Sequence, residues 1–121
     1  MHLKNGTLLK DGTYRIERFI KSGGFGCTYE ARHVYSDKKV AIKEFFVEDL
    51  CNREENSSRV TVVTQSKKAL VERLKYKFVK EAKSIWNLNN RGIVRVSDVF
   101  EENGTAYYVM DYIEGKSLEE K

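Results

Sequence analysis

The chain has 121 residues, of which 40% are hydrophobic and 33% charged, with 22 basic against 18 acidic side chains. This length suits one modest domain, and the apolar content is enough for a packed core, so two domains and wholesale disorder are excluded. The net charge of +4 permits an anionic ligand without requiring one. No apolar run approaches the ~20 residues of a membrane-spanning helix, so no membrane segment is predicted.

Cysteine and histidine usage narrows the class of protein further. Two cysteines, Cys27 and Cys51, are too few for a disulfide scaffold. The opening residues 1–4 do not resemble a signal peptide. We therefore expect a cytoplasmic protein in a reducing compartment. His2 and His33 stand alone, so no metal site is predicted from them.

The first part of the chain has the pattern of strands joined by turns. Residues 1–13 are polar and are predicted to form an N-terminal extension. Residues 14–21 alternate as a strand, with Tyr14, Ile16, Arg18 and Ile20 on one face and Arg15, Glu17 and Phe19 on the other. Residues typical of strands resume over 27–35 after the segment 22–26, which predicts a hairpin, and 39–46 is a third strand.

In the second part of the chain, the spacing of apolar residues changes from that of a strand to that of a helix. Residues 48–58 have few apolar side chains and predict a loop, followed by a short extra strand at 59–64. From 67 to 88, residues recur at steps of three and four, which predicts one long helix. One face of this helix carries Leu70, Leu74, Phe78, Glu81, Ile85 and Leu88. Two strands, 93–100 and 105–113, flank Asn103-Gly104, a strong hairpin signal. Ser117 opens a capping box, so we expect a helix to start there and the chain to continue beyond residue 121.

This order of elements predicts an α+β fold. We expect a five-stranded antiparallel sheet with one long helix packed on it. An extra short strand within an insertion at about 47–66 is the alternative to a loop there.

Three closely spaced glycines form the first chemical signal. Gly23, Gly24 and Gly26 let the backbone approach a ligand and present N–H groups to oxyanions, although a flexible hairpin tip has the same composition. A dinucleotide-binding fingerprint is excluded, because Lys21 stands where its first glycine belongs and strand residues follow. An RNA-binding RRM motif is similar to GGFGCTY, but that motif follows an earlier helix, and none precedes it here.

Two charged residues on apolar elements form the second signal. Lys43 interrupts an apolar strand, and Glu81 lies in the apolar stripe of the helix. Each side chain can instead face solvent, which is the ordinary position of a charged residue. A mutual ion pair between core-facing elements is opposed by desolvation and needs a reason to exist, and binding of a polyphosphate provides one.

Taken in order, these features resemble the N-terminal lobe of the protein kinases, and are similar to the bacterial members related to eukaryotic serine/threonine kinases. The segments that carry the resemblance are KSGGFGCTYEA, VAIKEF, FVKEAKSIWNL and GIVRVSDVFEENGTAYYVMDYIEGKSL. The resemblance implies a kinase lobe over residues 14–113, and a connection to a further, C-terminal lobe that begins at 114–121. The implied activity is transfer of the γ-phosphoryl group of ATP to protein hydroxyls.

The resemblance also implies roles for individual residues. Lys43 would contact the α- and β-phosphates of ATP, and Glu81 would orient Lys43 in the active state, so these two are the expected catalytic residues. Met110 falls at the gatekeeper position, and Asp111 and Ile113 fall at the hinge that binds the adenine edge. The full set of implied ATP-binding residues is Lys21, Ser22, Gly23, Gly24, Phe25, Gly26, Thr28, Ala41, Lys43, Met110, Asp111, Ile113 and Ser117.

The sequence departs from the family pattern in several places. Lys21 replaces the first glycine of the loop, and Thr28 stands where a valine usually covers adenine. There is no His-Arg-Asp and no Asp-Phe-Gly in the 121 residues. Because those motifs supply the catalytic aspartate and the Mg²⁺ ligands, we expect Mg²⁺ to be bound by the C-terminal lobe and this chain alone to be inactive.

The expected partners follow from the same resemblance. They are ATP, a protein substrate and the C-terminal lobe, with self-association through an apolar surface around Phe25, Met110 and Ile113. The helix carries seven basic residues against two glutamates, which favours a solvated lysine-rich face over a site for a phosphorylated activation segment or an acidic partner. Two alternatives remain open: a pseudokinase lobe that acts as an interaction module, and a basic nucleic-acid-binding β domain. No nucleic acid is expected under the kinase interpretation.

Overall fold

A computed structural model describes residues 2–23, 26–54, 57–88 and 96–111, with the backbone alone at 86–88. The strands are β1 (Leu8–Leu9), β2 (Tyr14–Ser22), β3 (Gly26–His33), β4 (Lys38–Phe45), β5 (Cys51–Arg53), β6 (Val60–Val62), β7 (Val96–Glu102) and β8 (Thr105–Asp111). A 3₁₀ turn at Gln65–Lys67 leads into the helix α1 (Lys68–Leu88).

Six strands form one antiparallel sheet in the order β1-β2-β3-β4-β8-β7, and α1 packs against β7 and β8. The predicted α+β class with one long helix is confirmed. The predicted hairpins are also present: β2 pairs with β3, β3 with β4, and β7 with β8 around Asn103-Gly104. Both turn residues have positive φ, 57° and 72°, as a two-residue hairpin turn requires.

The main sheet has one strand more than the five predicted. The sixth strand is β1, which lies in residues 1–13 and pairs with β2 through Leu8 and Leu9. Leu9 and Leu3 are fully buried, so two apolar contacts are enough to fold this otherwise polar segment onto the sheet. In the insertion, β5 and β6 form a separate two-stranded sheet, so the prediction of a loop over 48–58 was wrong for β5.

The main sheet curls until its two edges meet. Lys10, just after β1, donates from Nζ to Asp98 Oδ2 of β7 at 2.6 Å, and its backbone N–H donates to Glu102 Oε1 at 2.6 Å. Tyr14 also donates to Asp98, at 2.9 Å, and stacks on Phe100 at a centroid separation of 6.0 Å. The side chains on the concave face are therefore enclosed on all sides and form the core.

Strand β2 does not keep the predicted alternation of faces. Its register with β3 shifts between Ile16 and Arg18, so one residue is left unpaired there. Beyond this bulge Phe19 shares the inner face and contacts Tyr29, whereas Arg18 points outward and pairs with Glu30 at 2.9 Å. The predicted placement of Arg18 beside Ile16 was wrong for this reason.

The inner face of α1 is apolar, but Glu81, which was predicted to lie in its apolar stripe, is exposed, and Val71 and Ala82 lie in this face instead. Val71, Phe78 and Ala82 are buried, and the Phe78 ring lies 5.5 Å from Phe45 and 5.1 Å from Tyr108. The basic side chains of Arg73, Lys77, Lys80 and Lys83 are exposed. Of the predicted stripe, Leu88 has no described side chain.

Candidate functional site

A small cleft lies between α1 and the sheet, and it contains both charged residues that the sequence singled out. Its volume is about 70 Å³. Its lining residues are Lys43, Leu74, Lys77, Phe78, Glu81 and Tyr108. Strand pairing explains the strand wall, because Lys43 is directly opposite Tyr108 on one side and Thr28 on the other, so the three side chains share a face.

The cleft has a cation on its strand wall and a carboxylate on its helix wall. Lys43 is half-buried and Glu81 is exposed, and no ion pair joins these two described residues. Burial, and then the charge of Glu81, raises the pKa of Tyr108 to about 12, which indicates that Glu81 lies close to this ring. A half-buried ammonium group is suited to binding phosphate oxygens.

The next row of the sheet is apolar. Ala41 is opposite Met110, and both side chains are buried. Asp111 is half-buried and pairs with Val40 at the end of β8. Ala41 and Met110 each lie two residues from Lys43 and Tyr108 along their strands, so they extend the same face of the sheet. Met110 is 7% exposed, so the expected apolar surface does not include it.

The glycine-rich segment begins where β2 ends. The Gly23 N–H donates to the Gly26 carbonyl oxygen at 2.7 Å, which holds the end of β2 against the start of β3. A Cβ atom on Gly26 would overlap the carbonyl oxygen of Glu44, so glycine is required at the start of β3. Lys21 and Ser22 are exposed at the end of β2. Gly24 and Phe25, and likewise Ile113 and Ser117, lie outside the described residues.

A buried charge that the sequence analysis missed lies directly behind Lys43. Glu44 has no exposed surface, and its carboxylate accepts hydrogen bonds from the hydroxyls of Tyr29 (2.9 Å) and Tyr107 (2.7 Å). Arg53 of β5 completes the set: its Nη2 lies 2.5 Å from Glu44 Oε1. Among the described residues every buried side-chain polar atom has a partner, so this cluster is fully satisfied.

The electrostatics of this cluster follow from burial and from the carboxylate. Burial raises the pKa values of Tyr29 and Tyr107, and the negative charge of Glu44 raises both further. Burial lowers the pKa of Arg53, but its hydrogen bond to Glu44 and the charge of Glu44 reverse this effect, so the net shift is upward. The tyrosines therefore stay neutral and act as donors.

One signal in the sequence could have revealed Glu44. The strand around it is apolar on both faces, since Ile42 and Phe45 lie on opposite sides. A carboxylate in such a strand must be buried and therefore needs partners. The sequence does not indicate that Arg53 is one of them, because the insertion has no pattern that fixes its position.

The fold is that of the N-terminal lobe of a protein kinase domain. No protein-family model matches the chain. It is 30% identical over 118 residues to the probable serine/threonine-protein kinase YbdM of Bacillus subtilis, and 33% identical over 109 residues to the serine/threonine-protein kinase PrkC of the same organism. These matches cover 98% and 90% of this chain but only 38% and 14% of the relatives.

Solved structures give the same result. The apo form of PpkA-294 superposes with a TM-score of 0.86 at 26% identity, over 96% of this chain and 40% of that one. The PknI kinase domain of Mycobacterium tuberculosis superposes with a TM-score of 0.61 at 19% identity, over 94% of this chain and 37% of that domain, and shows the fold alone. The chain is thus a homologue of bacterial serine/threonine kinases with the fold of their N-terminal lobe, as its sequence predicted.

Neither a membrane span nor a metal cluster occurs in the part of the chain that the structure describes. No described helix combines the length and the apolar character needed to cross a membrane. Within residues 2–23, 26–54, 57–88 and 96–111, no three histidine, cysteine or carboxylate side chains cluster in a way that could hold a metal ion.

Proposed function

We propose that this chain is the ATP-binding lobe of a serine/threonine protein kinase that transfers the γ-phosphoryl group of ATP to protein hydroxyls. The observation that carries the proposal is the placement of Lys43 and Glu81 in one cleft, beside the buried pair Ala41 and Met110. A cationic end and an adjoining flat apolar end match the phosphates and the adenine of one nucleotide.

The proposed roles follow the geometry. Lys43 binds the α- and β-phosphates, and Glu81 holds the ammonium group toward them when the helix moves inward. Backbone N–H groups from Lys21 to Gly26 cover the phosphates. Ala41, Thr28 and Met110 enclose adenine.

The hinge residues are proposed by family resemblance. Asp111 and Ile113 bind the adenine edge, and Ser117 lies near the ribose. Mg²⁺ would neutralise the charge of the phosphates, and the family resemblance assigns its ligands to the C-terminal lobe. The C-terminal lobe also supplies the base that removes the proton from the substrate hydroxyl.

The domain assignment is part of the same proposal. Residues 14–113 form the lobe with an insertion at about 47–66, and 114–121 lead toward the C-terminal lobe. Residues 1–13 remain outside this core assignment, although β1 adds an edge to the sheet. The protein is proposed to act in the cytoplasm, in keeping with two buried free cysteines. Self-association of the isolated chain is proposed through Phe25, Ile113 and neighbouring apolar residues, and sedimentation over a wide concentration range tests it.

The test of function uses the whole protein that contains these residues. Labelled γ-phosphate of ATP should appear on a generic protein substrate with this protein and not with its Lys43→Met variant. The 121-residue chain alone should transfer none. Binding of ATP without any transfer by the whole protein would support the pseudokinase alternative instead. Salt-sensitive oligonucleotide binding with indifference to ATP would contradict both.

A further inference from the structure

We propose that Arg53 is a positioning residue for the phosphate-binding part of this site, so that the insertion is a working element of the lobe. This inference rests on the proposed function. It concerns the hairpin β5-β6 and the buried carboxylate of Glu44, to neither of which the family resemblance assigns a role.

Arg53 reaches from the insertion into the core. Its side chain is 8% exposed and Glu44 is 0% exposed, and 2.5 Å separates Nη2 from Oε1. The second nitrogen, Nη1, donates to the Ser58 carbonyl oxygen at 2.8 Å, and the guanidinium lies over the Phe46 ring at 5.1 Å. A guanidinium held on three sides has a defined position, which an exposed surface charge does not have.

Glu44 connects that position to the strands of the proposed site. Through Tyr29 it is bonded to β3, and through Tyr107 to β8. Its backbone carbonyl oxygen lies against Gly26, where the glycine-rich segment ends. Lys43 is the preceding residue of the same strand and points to the other face. Glu44 thus contacts the glycine-rich segment and is next to Lys43 in the chain. Both of these elements are proposed to bind phosphate.

The β5-β6 hairpin has a second contact with the main sheet besides that between Arg53 and Glu44. The Val60 N–H donates to the Asn103 carbonyl oxygen at 2.7 Å, at the turn between β7 and β8. A Cβ atom on Gly104 would lie 2.7 Å from the Val60 carbonyl oxygen, so the two backbones are in close contact. The turn joins β7 to β8, and β8 carries Tyr107 and Tyr108. The hairpin that carries Arg53 is therefore itself attached to the main sheet, so Arg53 holds Glu44 from a fixed position.

Removal of Arg53 should act selectively. A buried carboxylate that loses its cation must move toward water or draw water in, because an unpaired buried charge is costly. That movement shifts the β4 segment at 43–44 and the contact with Gly26. The pair Ala41 and Met110, held by the ladder between β4 and β8, should be affected less. The expected signature is weaker binding of phosphates with little change in the binding of adenosine.

The experiment compares affinities of ATP and of adenosine for the whole protein that contains these residues, well below its melting temperature. In the Arg53→Met variant we expect ATP affinity to fall about tenfold or more, since small displacements of positioned groups have effects of this size. The affinity for adenosine should change by less than about twofold. Arg53→Lys, which keeps the charge, should recover part of the ATP affinity. Arg59→Met is the matched control, because Arg59 is an exposed arginine of the same segment, and it should leave both affinities unchanged.

Each outcome bears on one of the two proposals. Equal loss of ATP and adenosine affinity in Arg53→Met, or no loss of either, would overturn the positioning role. If that variant does not fold, Arg53→Lys takes its place, and the same phosphate-specific loss is expected at a smaller size, because the shorter cation cannot keep both contacts of the guanidinium. Failure of the wild-type protein to bind either ligand would contradict the proposed function itself. A phosphate-specific loss in Lys43→Met but not in Arg53→Met would refute this inference alone.

Discussion

Lys43 on β4 and Glu81 on α1 line the same cleft, yet no ion pair joins these two described residues. Tyr108 lies between the two elements, with its ring against Phe78 and its pKa raised by burial and by the charge of Glu81. The helix therefore presents Glu81 to the cleft without bringing it to Lys43. The two side chains, or the helix that carries Glu81, must move closer together to form the pair.

The first prediction concerns these two residues in the whole kinase. Lys43→Met should reduce turnover on the order of 10²-fold or more, because it removes the charge that meets the phosphates. Glu81→Gln should also reduce turnover strongly, since an unpaired Lys43 can turn away from the phosphates. The double variant should be little worse than Lys43→Met, because residues that act as a unit are non-additive. Initial rates with a generic protein substrate measure all three.

Lys80→Met is the control for this series, since Lys80 is an exposed residue of α1 that does not line the cleft. It should retain wild-type turnover. Full activity of Glu81→Gln would contradict the pairing and leave Glu81 as a solvent-facing charge.

The second prediction concerns the unexpected strand β1. Leu9 is fully buried, whereas its neighbour Leu8 is 55% exposed, so the two form a matched pair. Leu9→Ala should lower the free energy of unfolding by about 3 kcal/mol through lost burial and a residual cavity. Leu8→Ala should change it by about 0.5 kcal/mol or less. Urea denaturation of the chain measures both, and equal effects would show that β1 is not packed as described.

The third prediction concerns the contact between Gly26 and Glu44. Gly26→Ala places a methyl group against a backbone carbonyl that cannot rotate away, so we expect a loss of about 2 kcal/mol in the free energy of unfolding. Gly23→Ala is the control, because no atom lies within 4 Å of the position that a Cβ atom would take there. Thermal unfolding should therefore separate the two variants, and a Gly26→Ala protein as stable as Gly23→Ala would contradict the close approach.

The fourth prediction concerns alkaline pH. Burial raises the pKa values of Tyr14, Tyr29, Tyr107 and Tyr108, the last to about 12, above the unfolded value of about 10. Between pH 10 and about 12 the folded state thus holds protons that the unfolded state has lost, and the free energy of unfolding falls as pH rises. Well below pH 10 these groups should contribute no pH dependence.

Absorbance at about 295 nm, where tyrosinate absorbs, and circular dichroism test this prediction together. The ionisation of the buried tyrosines should coincide with the loss of the sheet signal. Tyr35→Phe, at a side chain that is 78% exposed, should leave that coincident phase unchanged in size. Ionisation of all tyrosines while the sheet signal persists would contradict the burial of these four hydroxyls.

Local patterns in the sequence were sufficient for most of the fold. Residues typical of strands predicted β3 and β4, a 3.6-residue period predicted α1, and Asn103-Gly104 predicted the turn between β7 and β8. The glycine-rich segment and Lys43 could be found for the same reason, because each stands out against its own neighbours. These signals depend on residues close together in the chain, and so they need no knowledge of how the sheet curls.

The contacts that only the tertiary structure decided join residues that are far apart in sequence. Asp98 receives Lys10 across 88 positions, and Glu44 receives Tyr107 across 63. Such contacts depend on the curl of the sheet and on the bulge in β2, which are set by packing and not by any single segment. For the same reason the strand Leu8–Leu9 was missed, since two residues are too few to show a period and are held in place by the core beneath them. The position of Arg53 beside Glu44 was hidden as well, because a buried charge finds its partner only once the surrounding strands have enclosed it.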